Sequence, residues 1–241
     1  MKVSVITTLY NYRSYIADAI KSFLKQSLQD SEMIIVDDAS TDFPMDVIQP
    51  FFSERVKYVR LENNKGYSHA KNVGISMSDS EILVMLDADD MLTDTSLERR
   101  YKKIMDGYDL VHGPALDLKV GDTSSMPVSS LWTKWLKSKK DANCYKYIHA
   151  QTVMIRKDVH RKIGLYDESL RFKSDREMWA RVMSHNLKVG WVDEPVSIYR
   201  IHSKQMHKSK EKARINDVLQ AEVLTKIARR SKDLSDVIML P

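Results

Sequence analysis

Three aspartates that follow a short apolar run are the residues of this chain whose type and spacing could do chemistry. The run Ile82–Leu86 is followed by Asp87, Asp89 and Asp90, with one alanine between the first two. Carboxylates offset by one residue suit a hard divalent cation, which keeps several waters and takes further ligands from a substrate phosphate. The pattern therefore predicts a site for a metal-bound diphosphate.

The same residue types also fit a simpler structural role. Asp89, Asp90 and Asp94 precede a helix predicted at 95–105, and aspartate favours loops and helix N-caps. A bare Asp-x-Asp motif arises about once by chance in a chain of this length. The motif alone leaves a metal site and a capping role both open.

The bulk composition bounds the class of protein. The chain has 241 residues, 43% of them hydrophobic, which suits one large domain with a sizeable core. Its single cysteine, Cys144, excludes an internal disulfide and a cysteine-based metal site. The apolar stretch Val3–Leu9 is too short for a signal peptide, and no run approaches the length of a membrane span. We therefore expect a cytoplasmic location.

The charge of the chain favours an anionic partner. The net charge is +5 and the pI is near 9.0, which permits a nucleotide, a nucleic acid or a membrane surface as partner. A basic cluster at 204–214 precedes an amphipathic pattern from Ile215 to Ile227, which predicts a C-terminal helical extension at 203–241. Such a helix packs on its own domain or lies on a membrane. We expect either intramolecular packing or a peripheral contact with the inner membrane face or another anionic surface.

The first ninety residues alternate between strands and helices. Strands are predicted at 2–9, 33–36, 56–61 and 82–86, with helices beginning near Tyr15, Met45 and Ser68. Most of these strands lack polar alternation, as expected of strands covered on both faces. The pattern predicts an α/β fold, a Rossmann-like and mostly parallel central sheet with flanking helices and a ligand crevice at its carboxyl edge.

The pattern weakens after a helix at 95–106 and a strand at 110–112. Residues 114–146 show no regular period and contain Trp132 and Trp135. This segment either recognises an acceptor or is a surface excursion anchored by the two tryptophans. The later predicted elements are a strand at 150–155, a helix through Val159 and Ile163, a helix from Phe172, and a hairpin-like pair at 189–192 and 196–201.

Taken in order, these segments resemble family 2 glycosyltransferases with the GT-A fold, over residues 1 to about 202. The similar segments are Thr7–Asn11, Val36–Asp42, Asn64–Asn72, Asp87–Asp89, Gly164–Glu168 with Ser174–Asp175, and Tyr199–His202. Two positions depart from the family pattern. Lys71 stands where arginine is common, and Ser174 replaces the first acid of a Glu-Asp pair.

The resemblance implies an activity and a domain organisation. It implies an inverting, metal-dependent glycosyltransferase of the hexosyltransferase type, which moves a sugar from a nucleoside-diphosphate sugar, a UDP-sugar, to a hydroxyl of a glycan or lipid-linked acceptor. Residues 1–113 would form the half that binds the nucleotide sugar, and 114–202 the acceptor-side half. The extension at 203–241 lies outside the resemblance.

The resemblance also implies roles for individual residues. Nucleotide binding falls to Thr7, Tyr10, Asp38, Lys71 and Asp87. Asp89 and His202 would hold Mn²⁺ or Mg²⁺, which acts as a Lewis acid on the departing diphosphate. Asp175, at a predicted helix start that favours the ionised carboxylate, would be the general base for the acceptor hydroxyl.

Several of these residues also fit a purely structural role. Asp175 could be an ordinary acid at a helix start, Asp38 a turn residue, and Thr7 and Tyr10 packing residues. His69, His112, His149 and His160 show no metal-ligand spacing, and we expect them to be structural.

Other functions also remain open. A nucleotidyltransferase would need a glycine-rich phosphate loop, which Tyr10–Arg13 does not provide. A noncatalytic GT-A-like protein that binds glycan or nucleic acid would show steep salt dependence if phosphate contacts dominate. A glycosyltransferase acting on modified nucleic acid is a further alternative.

Overall fold

Two β-sheets and the helices around them make up the part of the chain that the computed structural model describes. That part comprises residues 2–121, 125–139, 144–170, 173–185 and 187–205. The strands are β1 Val3–Leu9, β2 Ser31–Asp37, β3 Val56–Arg60, β4 Ile82–Asp87, β5 Met91–Leu92, β6 Leu110–His112, β7 Ala115–Lys119, β8 Met154–Arg156, β9 Val189–Trp191 and β10 Ser197–Ile201. The helices are α1 Arg13–Leu24, α2 Met45–Ile48, α3 Tyr67–Met77, α4 Ser96–Met105, α5 Ser130–Ser138, α6 Lys157–Ile163 and α7 Ser174–Ser184, with 3₁₀ turns at Gln49–Phe51, Cys144–Tyr147 and Ala150–Thr152.

The large sheet has seven strands in the order β3-β2-β1-β4-β8-β6-β9. Strands β3, β2, β1 and β4 run parallel, whereas β8 is antiparallel to both β4 and β6. The order of connection reverses between β1 and β4, and a crevice opens at the carboxyl ends of strands at such a point. Thr8 pairs with Asp87 there, so the predicted mostly parallel sheet and its acidic edge are confirmed.

The small sheet has three strands in the order β5-β10-β7. Strand β10 runs antiparallel to β5 and parallel to β7, which brings the C-terminal end of the described chain against the segment that follows the aspartates. The predicted hairpin at 189–201 is wrong. Strand β9 pairs with β6 in the large sheet, so β9 and β10 belong to different sheets.

The segment 114–146 is more regular than the sequence predicts, because it contains β7 and α5. Trp132 and Trp135 on α5 are buried and stack with ring centroids 4.9 Å apart, and Trp135 also meets Trp191 of β9 at 5.1 Å. Some of these contacts join residues that are far apart in the sequence. The local spacing of apolar residues therefore cannot reveal them. The predicted strand at 150–155 is partly wrong, since Ala150–Thr152 forms a 3₁₀ turn and the strand is limited to Met154–Arg156.

Side chains on the two faces of the large sheet enter two separate apolar clusters. From β1, Val5 and Leu9 pack in the cluster that includes α1, and Ile6 packs in the one that includes α3. Helix α3 lies very close to β1 at Gly74, where an added Cβ would be only 2.3 Å from Cγ2 of Ile6. We expect any larger residue there to push α3 away, at a cost of about 1–3 kcal/mol.

Two further expectations concern the membrane and the tail. None of the helices in the described ranges is long and apolar enough to cross a bilayer. From residue 206 onward, the predicted helical extension lies outside the described residues. Its structure and its contacts stay predictions, as does the division of the chain at 113 and 202.

Candidate active site at the carboxyl edge of the sheet

The three aspartates at the end of β4 and just after it are held by partners from α3 and from the region of β10. Asp87 Oδ1 accepts a 2.7 Å hydrogen bond from the hydroxyl of Tyr67 on α3. Asp89 Oδ2 lies 3.0 Å from His202 Nε2, just beyond β10. Asp90 is fully buried, and its Oδ1 accepts a 2.9 Å hydrogen bond from the backbone N–H of Arg200. The acidic segment is therefore fixed on several sides.

The aspartates concentrate negative charge in a poorly solvated place. Burial raises the pKa of Asp89, the charge of Asp87 raises it further, and the hydrogen bond to His202 opposes this rise. Burial also raises the pKa of Asp90 well above its ordinary value, and the charges of Asp89 and Asp87 add to the effect. A bound cation would relieve this accumulation of charge.

The side chains around Asp89 suit a divalent cation that takes its remaining ligands from the substrate. A carboxylate oxygen of Asp89 and an imidazole nitrogen of His202 lie 3.0 Å apart, and the charge of Asp87 acts on Asp89. Within the described ranges, no three or more histidine, cysteine, aspartate or glutamate side chains are grouped so that they could hold a metal ion. A cation here needs water and phosphate oxygens, as Mg²⁺-like ions ordinarily do. The assignment of Asp89 and His202 as metal ligands stays a prediction.

His202 lies in an aromatic setting that the sequence does not reveal. Its ring centroid is 4.6 Å from that of Tyr15 and 5.6 Å from that of Tyr12, both near the start of α1. The side chain is 5% exposed, and Nδ1 has no hydrogen-bond partner among the described residues. Gln205 accepts a hydrogen bond from the backbone N–H of His202. These contacts keep Nε2 directed at Asp89.

Arg200 fastens β10 to the acidic segment. Its Nε donates to the backbone oxygen of Asp89 at 2.9 Å, and its Nη2 donates to Asp18 Oδ2 at 2.9 Å. The guanidinium also lies over the Tyr15 ring, 4.9 Å from its centroid. Strand β10 and helix α1 thus support the same carboxylates from outside the large sheet.

Asp38, just after β2, anchors the turn that begins α3. Its two carboxylate oxygens accept 2.8 Å hydrogen bonds from the backbone N–H groups of Lys65 and Gly66. Gly66 has a φ of +94°, a conformation that favours glycine. Each carboxylate oxygen can accept a second hydrogen bond, so a nucleotide contact is compatible with this anchoring. That contact stays a prediction.

Thr7 and Tyr10 differ sharply in accessibility. Thr7 is completely buried in β1, between β2 and β4, and its Oγ1 has no hydrogen-bond partner within the described part of the chain. Tyr10 follows the strand and is 45% exposed. Only Tyr10 of this pair presents surface to a ligand in this structure, because Thr7 lies below the end of its strand.

Lys71 does not reach the surface of the crevice. The side chain is 1% exposed, and Nζ lies over the rings of Tyr67 and Tyr166, 3.9 and 4.9 Å from their centroids. Burial lowers the pKa of Lys71, and the charges of Asp87 and Asp175 oppose this. Its expected contact with a phosphate stays a prediction, to which this conformation gives no support.

Asp175 lies in the first turn of α7, shortly after Lys173, whose φ of +59° turns the chain into the helix. Its side chain is half-buried. Burial raises the pKa of Tyr67 well above its ordinary value, and the charges of Asp87 and Asp175 raise it further. The same two charges oppose the lowering of the Lys71 pKa by burial. Asp87 and Asp175 therefore influence the same buried groups, from opposite halves of the chain.

Hydrogen bonds fasten α3 to the segment that leads towards α7. Asn72 donates from Nδ2 to Tyr166 O at 2.9 Å and to Glu168 Oε1 at 2.8 Å, and it accepts from Tyr166 N at 3.0 Å. His69 Nδ1 lies 2.9 Å from Glu168 Oε2, and Ser68 donates to Leu170 O. One face of α3 thus positions residues 166–170.

Sequence reasoning gave no role to several residues that this geometry singles out. Tyr67 and Asn72 lie within the predicted nucleotide-facing segment, but nothing in their spacing indicates which carboxylate or loop they would meet. His149, expected to be structural, lies 3.0 Å from Ser129 Oγ and 5.2 Å from the Tyr199 ring. Burial lowers the pKa of His149 to about 4, and the charge of Asp175 opposes this. His149 is therefore neutral at pH 7.

His112 and His160, two of the histidines expected to be structural, fit a packing role. Burial lowers the pKa of His112 to about 3, and its ring lies 4.4 Å from that of Trp135. Burial likewise lowers the pKa of His160 to about 4. Both are neutral at pH 7, and the ring of His160 lies 5.9 Å from that of Tyr166.

Known proteins resemble this chain in sequence and in fold. The family model described as glycosyl transferase family 2 matches residues 4–164. The putative teichuronic acid biosynthesis glycosyltransferase TuaG of Bacillus subtilis is 30% identical over 223 residues, which cover 88% of this chain and 83% of TuaG. Among solved structures, S. aureus TarS superposes with a TM-score of 0.77 at 19% identity, over 99% of this chain and 41% of TarS.

A second TarS structure, residues 1–349 in complex with UDP-GlcNAc, superposes with a TM-score of 0.72 at 20% identity, covering 87% of this chain and 61% of that one. This likeness shows a shared fold, and it confirms the predicted GT-A architecture. The family model spans well over half of the chain. The chain therefore belongs to glycosyl transferase family 2 and is a glycosyltransferase.

Proposed function

We propose that this protein is an inverting, metal-dependent glycosyltransferase that moves a sugar from a UDP-sugar to an acceptor hydroxyl in glycan biosynthesis. One observation carries the proposal. Asp87, at the end of β4, accepts a hydrogen bond from Tyr67, and Asp89 Oδ2 lies 3.0 Å from His202 Nε2, so carboxylates and an imidazole meet where the parallel strands end. The charge of Asp175 acts on Lys71 together with that of Asp87, which supports a donor-side and an acceptor-side acid at one site, as displacement at a sugar carbon requires.

The uridine nucleotide would bind near Asp38 and Tyr10. Asp38 holds the turn at Lys65–Gly66, and Tyr10 is the exposed aromatic residue at the end of β1. A free lone pair on the Asp38 carboxylate can accept a hydrogen bond from the base imide or the ribose. The donor class is supported by the TarS structures, which include complexes with UDP and UDP-GlcNAc.

The diphosphate would lie against the acidic segment. Asp89 and His202 would hold Mn²⁺ or Mg²⁺, and Asp87 would contact the ribose or a water on the ion. When bound, the ion supplies Lewis-acid stabilisation of the charge that develops on the departing diphosphate. Asp89 Oδ2 and His202 Nε2 lie 3.0 Å apart, close enough for both to reach one ion.

The acceptor would react from the side of Asp175. The Asp175 carboxylate takes the proton of the acceptor hydroxyl while the hydroxyl oxygen bonds to the anomeric carbon and the bond from that carbon to the diphosphate oxygen breaks. Attack opposite the leaving group inverts the anomeric centre. His149, which is neutral at pH 7, and Tyr199, whose ring it contacts, are candidates for contact with the acceptor hydroxyls.

The names of two relatives support a glycan as the acceptor class. TuaG is named for teichuronic acid biosynthesis, and a matching protein of Staphylococcus epidermidis is named a teichoic acid poly(glycerol phosphate) polymerase. We propose a glycan or lipid-linked acceptor, used at the inner face of the cytoplasmic membrane. The basic residues after Ser203 would supply a peripheral contact with that anionic surface.

The proposal is tested by measuring release of UDP from a panel of UDP-sugars. We expect slow hydrolysis without acceptor, present with Mn²⁺ or Mg²⁺ and lost with EDTA, and restored when the ion is added back. A parallel thermal-shift series should show that UDP raises the Tm more with the ion than without it, because ligand binding stabilises the folded state by mass action. If UDP neither stabilises the protein nor is released from any donor, the proposal fails.

A further inference from the structure

We propose that Arg200 is a positioning residue, whose side chain and backbone hold Asp89 and His202 in the arrangement in which both can reach one divalent cation. The inference rests on the proposed function, because it concerns the ion that would bind there. Within the segment 199–202, the resemblance gives a role to His202 and none to Arg200.

Arg200 contacts the acidic segment with both its side chain and its backbone. Its Nε donates to the backbone oxygen of Asp89 at 2.9 Å, and its backbone N–H donates to Asp90 Oδ1 at 2.9 Å. Asp90 N donates to Asp87 O at 3.1 Å, which closes a turn over the same residues. One residue of β10 therefore fixes the backbone that carries the Asp89 carboxylate.

Arg200 is also tied to the second predicted ligand of the ion. Its backbone oxygen accepts a 2.7 Å hydrogen bond from Gln205 Nε2, and Gln205 Oε1 accepts a 3.2 Å hydrogen bond from the backbone N–H of His202. The amide of Gln205 thus bridges Arg200 and His202. Arg200 therefore lies where the two segments that carry Asp89 and His202 meet.

Helix α1 holds the guanidinium of Arg200 in place. Nη2 donates to Asp18 Oδ2 at 2.9 Å, and the guanidinium carbon lies over the Tyr15 ring, 4.9 Å from its centroid. The Arg200 side chain is only 10% exposed, whereas that of Asp18 is 45% exposed. The guanidinium is planar and presents its donors in a fixed fork, so the contact with Asp18 sets the direction in which Nε donates. Asp18 therefore acts on Asp89 through Arg200.

Strand β10 is held in its sheet by other contacts. Its backbone pairs with β5 on one side and with β7 on the other. The side-chain hydrogen bonds of Arg200 go instead to Asp89 and Asp18. Loss of the guanidinium should therefore leave the small sheet in place and loosen the acidic segment.

A cation that takes part of its ligands from the substrate depends on protein ligands that are already in position. Ligands held in advance lose less conformational freedom when the ion binds, and the partners that hold them raise the affinity for the ion. Arg200 is itself positively charged, so its removal would strengthen cation binding if charge alone mattered. Weaker binding of the ion in its absence therefore reports lost positioning.

The test measures binding of Mn²⁺ in the presence of saturating UDP, from the electron paramagnetic resonance signal of free Mn²⁺. We expect Arg200→Met, which removes the guanidinium, to raise Kd for Mn²⁺ roughly 10- to 100-fold, with Kd for UDP in the absence of the ion within about threefold of wild type. Arg200→Lys keeps the charge but not the fork, and its Kd for Mn²⁺ should lie between the two. Arg99→Met, on a partly exposed arginine 4.0 Å from Glu194, is the matched control and should leave both constants unchanged.

Asp18→Asn separates positioning from charge. Loss of a negative charge weakens cation binding by charge alone, and that effect would persist whatever stands at position 200. If Asp18 acts through Arg200, Asp18→Asn should raise Kd for Mn²⁺ roughly 3- to 10-fold in the wild-type background and less than about twofold in the Arg200→Met background. Because Asp18 is half-exposed, we expect this variant to fold.

Several outcomes would overturn the inference. Unchanged or tighter Mn²⁺ binding in Arg200→Met would show that Arg200 does not position the ligands. An equal loss of UDP affinity without the ion would make Arg200 a contact of the nucleotide or a support of the whole fold. Equal effects of Asp18→Asn in the two backgrounds would show that Asp18 acts by its charge.

Two further results keep the test decisive. Should Arg200→Met fail to fold, unchanged Mn²⁺ binding in folded Asp18→Asn would refute the inference. Failure of the proposed function is recognised in the wild-type protein itself, which would then neither bind Mn²⁺ together with UDP nor release UDP from any donor, and the inference would fall with it.

Discussion

The donor-side and acceptor-side regions of the molecule are built in different ways. On the donor side, Asp38 and Asp87 lie at the ends of parallel strands of one sheet, and Asp38 is held by two backbone N–H groups. On the acceptor side, Asp175 lies at the start of a helix, and the segment before it is positioned by side chains such as Asn72, which is 94 residues distant from Tyr166. The order of strands in the sheet positions the donor-side residues. Long-range side-chain contacts position the acceptor-side residues.

The two regions also differ in their ion pairs, because buried Asp37 on the donor side pairs with the half-exposed Arg60, whereas both partners are buried on the acceptor side. In the acceptor half, Arg181 pairs with fully buried Glu177 at 2.9 Å and donates to the carbonyl oxygens of Ile163 and Leu165. Removing one partner of such a pair leaves an uncompensated buried charge. The acceptor side should therefore be the more easily disordered by single substitutions, and the donor side the more easily inactivated without unfolding.

The largest effect is expected from Asp89→Ala, which tests the acidic edge directly. We predict that UDP release falls about 1000-fold, because a charge-stabilising group at the departing diphosphate is lost. The measurement is UDP release with saturating Mn²⁺. Asp94→Ala, in an exposed aspartate of the following turn, is the control and should retain wild-type rates. Equal activity of the two variants would remove Asp89 from the mechanism.

Asp175→Ala should separate the two regions most cleanly. We predict about a 100-fold loss of transfer to an acceptor, since the general base is lost, while UDP binding and basal hydrolysis stay within about threefold of wild type. Transfer and hydrolysis are measured in parallel on the same preparation. Asp158→Ala, on an exposed acid of α6, serves as control. Full transfer by Asp175→Ala would exclude it as the base.

Asp38→Ala should weaken donor binding and folding together, since one carboxylate would serve both. We expect Kd for UDP to rise roughly 10-fold and the free energy of unfolding to fall by about 1–3 kcal/mol, because two backbone N–H groups lose their acceptor. Calorimetric titration and urea unfolding measure the two quantities. Asp46→Ala, whose carboxylate is exposed and paired with Arg13, is the comparison. A loss of stability with unchanged Kd would restrict Asp38 to its role in the turn.

The smallest effect is expected from Glu168→Gln, at the contact between α3 and the acceptor segment. Hydrogen bonds from Asn72 and then His69 lower the pKa of Glu168, so its stabilisation is present above the ordinary glutamate pKa and is lost as the pH falls through the lowered value. The side chain is 48% exposed, which limits the effect to less than about 1 kcal/mol.

Urea unfolding at pH 7 and pH 3 checks this expectation. Glu168→Gln should be less stable than wild type at pH 7, with the difference reduced at pH 3. Glu62→Gln, in an exposed residue after β3, should show no such pH-dependent difference. A difference that grows as the pH falls would have the wrong sign and would contradict the assignment.

The elements of the donor half were predictable because their signals are local. The four parallel strands were placed within a few residues, and the acids at the ends of β2 and β4 were correctly assigned to one edge. The resemblance named Asp89 and His202 as metal ligands, which stays a prediction, and in the structure Asp89 Oδ2 lies 3.0 Å from His202 Nε2. By contrast, β7 and α5 were missed, and the pairing of β9 and β10 was wrong, because short strands carry too few residues to show which neighbour they join.

The sequence by itself determined which residues stand at the ends of the parallel strands, because apolar runs and the acids that interrupt them are properties of neighbouring positions. It also determined the family, through the order of those segments. Only the tertiary structure decided that Nζ of Lys71 lies over the rings of Tyr67 and Tyr166, that Asn72 holds the segment before α7, and that Asp89 meets His202. Most of those contacts join positions far apart in the chain, and their geometry depends on how helices and sheet pack together.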